Sequence, residues 1–227
     1  MWIFGKPPKI LFFENHINNL IKSLHKYGIK KKFLKRDILN IIDKNLLKNK
    51  NYNHLLRVAL NKKVISISLR KRVLPKLNFS LKLVKLKREK PKYKNLKYKK
   101  ILLHLSKIDN SKSDIALINK DKVLETGTSN LLFIKKNKIF TPKKDYYEGN
   151  TYKFFKTKIK KIIKKDILVE DLIKYDEILL IGTGKGVASV KKIEDIQWER
   201  KNLKQYKLFS KFYFSQIKKC NQYKFLT

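Results

Sequence analysis

Glycine is scarce in this chain and unevenly placed. Five of its seven glycines (Gly127, Gly149, Gly182, Gly184 and Gly186) lie in three short segments: ETGTSN at 125–130, EGNT at 148–151 and IGTGKGV at 181–187. Glycine permits backbone conformations and close approaches that a Cβ forbids. Small residues clustered with Thr and Ser between apolar runs make loops that can close around a ligand. Each segment alone reads as an ordinary turn. Three of them in one half of the chain point to ligand-shaped loops.

A chain of 227 residues, 42% of them hydrophobic, can bury a real core and suits one large or two small domains. The single cysteine, Cys220, rules out an internal disulfide, and four scattered histidines (His16, His25, His54 and His104) give no metal-ligand spacing. No stretch approaches the roughly 20 apolar residues of a membrane span, and MWIFGKPPK lacks the layout of a signal peptide. A soluble, cytoplasmic protein without a membrane partner or a metal is the expectation. The net charge of +39 raises a nucleic-acid reading. Against it, the charge is nearly all lysine, with arginine only at Arg36, Arg57, Arg70, Arg72, Arg88 and Arg200, whereas base readout favours arginine. The lysines are also spread along the whole chain beside excess Ile and Asn. No specific nucleic-acid partner is expected, and basic nucleic-acid binding stays as an alternative from another class.

Along the chain, residues 10–13 read as a short strand. Ile17, Leu20, Ile21 and Leu24 then recur at helical spacing, and Gly28 stops that helix. A second amphipathic helix is expected over 35–47, with strands over 55–60 and 64–69. Pro75 marks a boundary, giving domains at 1–74 and 75–227. In the second, strands are expected over 79–86, 115–119, 131–135, 138–140, 167–170 and 178–181. Helices are expected over 96–108 and 151–164, and over the C-terminal KLFSKFYFSQIKK with Phe209, Phe212 and Tyr213 as its packing face.

Two of the glycine segments suit an anion. EGNT meets the start of the helix opening at Thr151, where unpaired N–H groups and the helix dipole favour negative charge. IGTGKGV follows an apolar strand and offers amides and the Thr183 hydroxyl. Glu125 stands beside a Gly/Thr/Ser turn; its local sequence favours a strand-end carboxylate facing water, because burial is costly without a cationic partner.

The order of these segments carries more than any one of them. Glu125, Ser129-Asn130, Thr141-Pro142, Gly149-Asn150-Thr151, Asp176-Glu177, Gly182-Thr183 and Ser189-Val190 resemble, collinearly, the motifs of class IV aminotransferases, the fold-type-IV pyridoxal-phosphate enzymes. That family includes branched-chain and D-amino-acid aminotransferases and 4-amino-4-deoxychorismate lyase. FFENHINNLIKSLHKYGI resembles its small-domain segment, so the resemblance spans nearly the whole chain. It implies a mixed α+β fold of two domains, like that of D-amino-acid aminotransferase, with pyridoxal 5'-phosphate as cofactor and a homodimer as the assembly. It also implies that Lys94, in Lys94-Asn95-Leu96-Lys97, is the Schiff-base lysine, although Lys92, Lys97, Lys99 and Lys100 crowd the same stretch. Glu125 would meet the pyridine nitrogen. Ser129, Asn130, Gly149, Asn150, Thr151, Gly182 and Thr183 would bind the cofactor, and Gly184 and Lys185 would lie toward the substrate.

Two of the family's arginines fall here at Asn19 and Tyr152, and the asparagine after the lysine segment falls at Lys97. The family's opening pair of strands has few residues to match it ahead of residue 10, so the small domain is expected to be incomplete at its N-terminus. The function implied is amino transfer between an amino acid, of branched-chain or D type, and a 2-oxo acid. The alternatives are the lyase, releasing pyruvate and p-aminobenzoate, and a catalytically silent homologue.

Overall fold

The computed structural model describes residues 1–30 and 32–226 and divides the chain into two units. The first comprises Met1–Arg72 and the C-terminal segment from Gln216; the second is Val73–Ser215. The C-terminal residues thus belong with the first unit rather than with the domain expected over 75–227. The reason lies in their contacts: the Tyr223 hydroxyl donates to Asp43 at 2.6 Å, the Leu226 amide donates to the same carboxylate at 2.7 Å, and the Tyr223 amide donates to the Pro8 carbonyl at 2.8 Å.

The first unit opens with a hairpin, β1 (Trp2–Gly5) and β2 (Lys9–Ile10), followed by helices α1 (Phe13–Lys26) and α2 (Leu34–Asn45). Strands β3 (Tyr52–Leu60) and β4 (Ile65–Lys71) complete a four-stranded sheet of order β2-β1-β3-β4, antiparallel throughout. The strand expected over 10–13 ends at Ile10 because α1 starts at Phe13. Ile17 and Leu24 of α1, with Ile38 and Ile42 of α2, form one core with Ile3, Ile10 and Leu56 of the sheet.

The second unit runs β5 (Phe79–Lys85), α3 (Lys99–Leu105), β6 (Ser113–Asn119), β7 (Lys122–Thr126), β8 (Asn130–Lys135), β9 (Lys138–Pro142), α4 (Asn150–Lys158), β10 (Ile162–Lys165), a 3₁₀ turn (Glu170–Lys174), β11 (Glu177–Gly182), β12 (Gly186–Ile193), β13 (Trp198–Glu199) and α5 (Lys204–Lys218) up to Ser215. The sheet order is β10-β9-β8-β11-β12-β5-β6-β7, with β13 on β12. The central strands β8 and β11 are buried along nearly their whole length, as continuous apolar runs covered on both faces should be. Two-residue hairpins join β6 to β7 and β8 to β9, with Lys120, Asp121, Lys136 and Asn137 all at positive φ, the twist such tight loops require. The sheet curls until its ends meet: the Val123 amide of β7 donates to Ile167 at 2.8 Å, and Val169 donates back to Asp121 at 2.9 Å. Residues 167–170, expected as a strand, make this seam and then enter the 3₁₀ turn. The helix expected over 151–164 stops at Lys158, because Ile162 and Ile163 pair in parallel with Ile139 and Phe140 of β9. The helix expected over 96–108 is shorter, at Lys99–Leu105. No helix among the described residues is long and apolar enough to cross a membrane.

Candidate active site

All the glycine segments belong to the second unit, and the sheet brings their ends together. Asn130, at the start of β8, is buried and uses its whole side-chain amide. Its Nδ2 donates to the Tyr147 carbonyl at 2.6 Å, and its Oδ1 accepts from the Gly149 amide at 3.0 Å. One side chain therefore fixes the segment that leads into α4. A Cβ on residue 149 would sit 3.0 Å from Asn130 Oδ1, which accounts for the glycine there. Glycine at this N-cap supplies no capping side chain, so the first turn of α4 keeps the anion-favouring character of a helix N-terminus.

The third segment forms the hairpin between β11 and β12, with Gly186 at φ 75° closing a three-residue loop of Thr183, Gly184 and Lys185. Thr183 comes to Thr151 of α4, hydroxyl to hydroxyl at 3.1 Å. The Thr183 carbonyl accepts from the Tyr213 hydroxyl of α5 at 3.1 Å. Gly182 lies against the 127–129 turn, where a Cβ would meet Ser129 Oγ at 2.9 Å. The Thr126 hydroxyl accepts from the Ser129 amide at 2.8 Å and from the Thr128 amide at 3.2 Å, which holds that turn closed.

Glu125 is buried, only 3% exposed, on β7. The water-facing placement favoured by its local sequence is therefore corrected. Its cationic partner is Arg88, just beyond β5: Arg88 Nε donates to Oε1 at 2.7 Å, and Nη2 to the Gly127 carbonyl at 3.3 Å. The Tyr147 amide donates to Oε2 at 3.5 Å. Burial pushes the Glu125 carboxyl above its ordinary range, opposed by the Arg88 charge and hydrogen bond, by the Tyr147 amide and by the charge of Lys94. Lys94 lies in the loop between β5 and α3, its Nζ 5.6 Å from the centre of the Tyr147 ring. Asn95 pins that loop, donating to the Glu89 carbonyl at 2.8 Å and accepting from the Lys97 amide at 2.9 Å. Lys97 turns instead to the Glu89 carboxylate, 3.3 Å away.

The structure thus joins Asn130 with Gly149, Thr151 with Thr183, and Ser129 with Gly182. Lys94 and Glu125 meet through Tyr147. Lys185, expected near the substrate, turns its ammonium to Asp114 at 3.6 Å and to the Asn110 carbonyl at 3.2 Å; Gly184 is half-buried at the loop tip. Asn19 lies on α1 of the first unit, where its carbonyl accepts from Ser23 Oγ at 2.8 Å. Tyr152 is buried on α4 with its ring edge-on to Tyr146, and burial pushes both hydroxyls up, Tyr146 to about 12. Arg88, Tyr147, Asp114 and Tyr213 are the residues sequence reasoning missed. Two carried a signal: an arginine is rare in this lysine-rich chain, and Asp114 opens the otherwise apolar run DIALI.

The donor set fits a flat, anionic aldehyde. Its negative end would meet the α4 N-terminus and two hydroxyls, and its ring nitrogen a buried carboxylate, with an amine nearby. Among curated proteins, none matches this sequence. The family model described as amino-transferase class IV matches residues 3–193. The chain belongs to the class IV aminotransferase family. Solved structures share the mixed α+β fold of these fold-type-IV enzymes. The branched-chain aminotransferase of Thermoproteus uzoniensis, crystallised with norvaline, is 14% identical, with a TM-score of 0.72 over 94% of this chain and 82% of that one. A hypothetical aminotransferase from Mycobacterium tuberculosis in its PLP-bound form is 13% identical, with a TM-score of 0.70 over 95% and 87%. A putative 4-amino-4-deoxychorismate lyase from Haemophilus somnus is 26% identical, with a TM-score of 0.59 over 82% and 95%. This class IV chain is an enzyme of the pyridoxal-phosphate-dependent kind.

Proposed function

We propose that this enzyme transfers an amino group between an amino acid, of branched-chain or D type, and a 2-oxo acid, with Lys94 as the catalytic residue. Pyridoxal 5'-phosphate, when bound, supplies an electron sink for the bond-breaking at the substrate α-carbon. The residues of this chain supply the rest. The α4 N-terminus at Asn150 and Thr151, with the Thr183 hydroxyl, holds the phosphate. Glu125 keeps the ring nitrogen protonated, and Arg88 keeps Glu125 ionised despite its burial. Lys94 anchors the aldehyde carbon and carries the proton to and from the α-carbon. Its Nζ lies 5.6 Å from the centre of the Tyr147 ring, and the Tyr147 amide faces Glu125, so amine and carboxylate are brought to the same residue.

The observation carrying this reading is the meeting at residues 147–151 of a buried carboxylate, a lysine and a helix N-terminus that contacts a second hydroxyl loop. Lys94, rather than its neighbour Lys97, is chosen because Lys97 pairs with Glu89 while Lys94 faces Tyr147. The test is an absorbance titration with pyridoxal phosphate. A visible band is expected in the wild type and in Lys97→Ala, and its loss in Lys94→Ala; a band that survives Lys94→Ala sinks the assignment.

A second reading, the lyase, is favoured by the putative 4-amino-4-deoxychorismate lyase, 26% identical against 14% for the archaeal aminotransferase. Both reactions use the same lysine and carboxylate. Aminodeoxychorismate decides between them: pyruvate released without any added 2-oxo acid establishes the lyase, and a strict need for an oxo-acid acceptor establishes transfer. The working assembly is proposed to be a cytoplasmic homodimer, which sedimentation would read as twice the 27.1 kDa chain mass.

A further inference from the structure

We propose that Asp114 and Lys185 are positioning residues: a buried ion pair that fastens the phosphate-facing loop of β11–β12 to the turn following Glu125. The inference rests on the functional reading above and assigns Lys185 a part other than substrate contact. Asp114 is fully buried at the start of β6. Its Oδ2 accepts from Thr128 Oγ1 at 2.6 Å and from Thr126 Oγ1 at 3.1 Å, and Oδ1 accepts from the Ile115 amide at 2.8 Å. Lys185 Nζ lies 3.6 Å from the same Oδ2, donates to the Asn110 carbonyl at 3.2 Å and stands 4.7 Å over the Phe79 ring.

This chain keeps its lysines in water. Among the described residues, every other ion-paired lysine has a side chain at least 39% exposed, whereas Lys185 is 9% exposed. Withdrawing two charges from water seldom stabilises a fold more than apolar side chains of the same size would. What this pair does provide is register. Thr126 is the residue after Glu125, the 127–129 turn abuts Gly182, and Thr183 follows Gly182. One carboxylate therefore ties the strand that carries the ring-facing acid to the loop that carries a phosphate-facing hydroxyl.

Lys185→Met removes the tie while leaving Asp114 its two threonine donors; Lys185→Arg preserves it. The readouts are affinity for pyridoxal phosphate and for pyridoxal, which lacks the phosphate, each by absorbance titration, with hydrogen exchange of the cofactor-free protein alongside. Lys185→Met is expected to weaken pyridoxal phosphate about tenfold, the scale of one charge-assisted contact, and to leave pyridoxal within about twofold. Lys185→Arg is expected to keep the wild-type preference, and the Asp114→Asn, Lys185→Met pair to lose little more than either single change. Exchange at amides 183–186 is expected to quicken in Lys185→Met. Equal losses for the two ligands, or an unchanged preference, overturn the positioning role; undiminished amide protection overturns the fastening itself. A wild type that takes up no pyridoxal phosphate sinks the functional reading, and the exchange experiment still decides the pair.

Discussion

The two poles of the candidate cofactor site are built from different materials. The phosphate-facing pole is made of backbone, hydroxyls and the space left by missing side chains: the α4 N-terminus, Thr151, Thr183, and glycines at 149 and 182 that let loops touch Asn130 and Ser129. The ring-facing pole is made of side-chain charge: Glu125, Arg88 and Lys94. Charge can be placed by residues far apart in sequence and lost by one substitution. Backbone shape needs particular small residues at adjacent positions and fails more gradually. The poles should therefore differ in how steeply activity and stability respond to change.

The steepest response is expected at Glu125→Gln. Losing the charge proposed to face the ring nitrogen should lower kcat by about 10²- to 10³-fold, as for other preorganised electrostatic contacts. Thermal unfolding of the cofactor-free variant should be no easier at neutral pH. The sign follows from burial: the folded carboxyl sits above its unfolded value, so ionised Glu125 costs stability at neutral pH, and that cost fades as pH falls through the raised value toward 4.5. In the wild type the same protonation should cut cofactor affinity on the acid side at a higher pH than an exposed glutamate would. A Glu125→Gln protein with near-normal turnover would break the comparison.

Arg88→Met should come next. Removing one partner of a buried pair costs about 3 kcal/mol, read as a fall in the unfolding midpoint that shrinks as the pH is lowered and Glu125 takes up a proton. A pH-independent fall would show that Arg88 acts through packing alone. Gly182→Ala tests the other pole, since its Cβ must displace Ser129. A loss of about 1 to 2 kcal/mol in cofactor affinity, with kcat at saturation nearly unchanged, is expected from overpacking of this kind. Thr151→Val is the mildest change: one neutral hydrogen bond, about 1 kcal/mol, or roughly fivefold in the dissociation constant for pyridoxal phosphate. If Thr151→Val proved as damaging as Glu125→Gln, the two poles would not be built differently at all.

The same contrast explains what the sequence allowed to be read. The phosphate-facing pole was legible because its glycines, threonines and asparagine stand in short contiguous segments, and the order of those segments carried the family resemblance. The ring-facing pole was not legible locally. Arg88 lies 37 residues from Glu125, and nothing near KVLET announces a guanidinium. Glu125 therefore looked solvated, and β7 itself went unrecognised. The strand β12 escaped because Ala188 and Ser189 are poor strand formers, held extended by β11 before β5 takes up the pairing at Val190. The β10 strand hid inside a lysine-rich run with helical spacing until pairing with β9 overrode it. Asp114 and Lys185 show the general difficulty: among 57 basic residues, only the tertiary structure singles out Lys185 as the ion-paired lysine, among the described residues, whose side chain is withdrawn from water.

The curled sheet of the second unit is closed by a narrow join, two main-chain hydrogen bonds flanking the contact of Lys122 with Leu168. That join is the thinnest place in an otherwise broad strand array, and Glu125 lies only three residues further along from Lys122. Val123 and Ile167, which it links, belong to the buried core of this unit, so on warming it should part only together with that core. Loss of the cofactor's colour and loss of the fold should then run along one and the same melting curve.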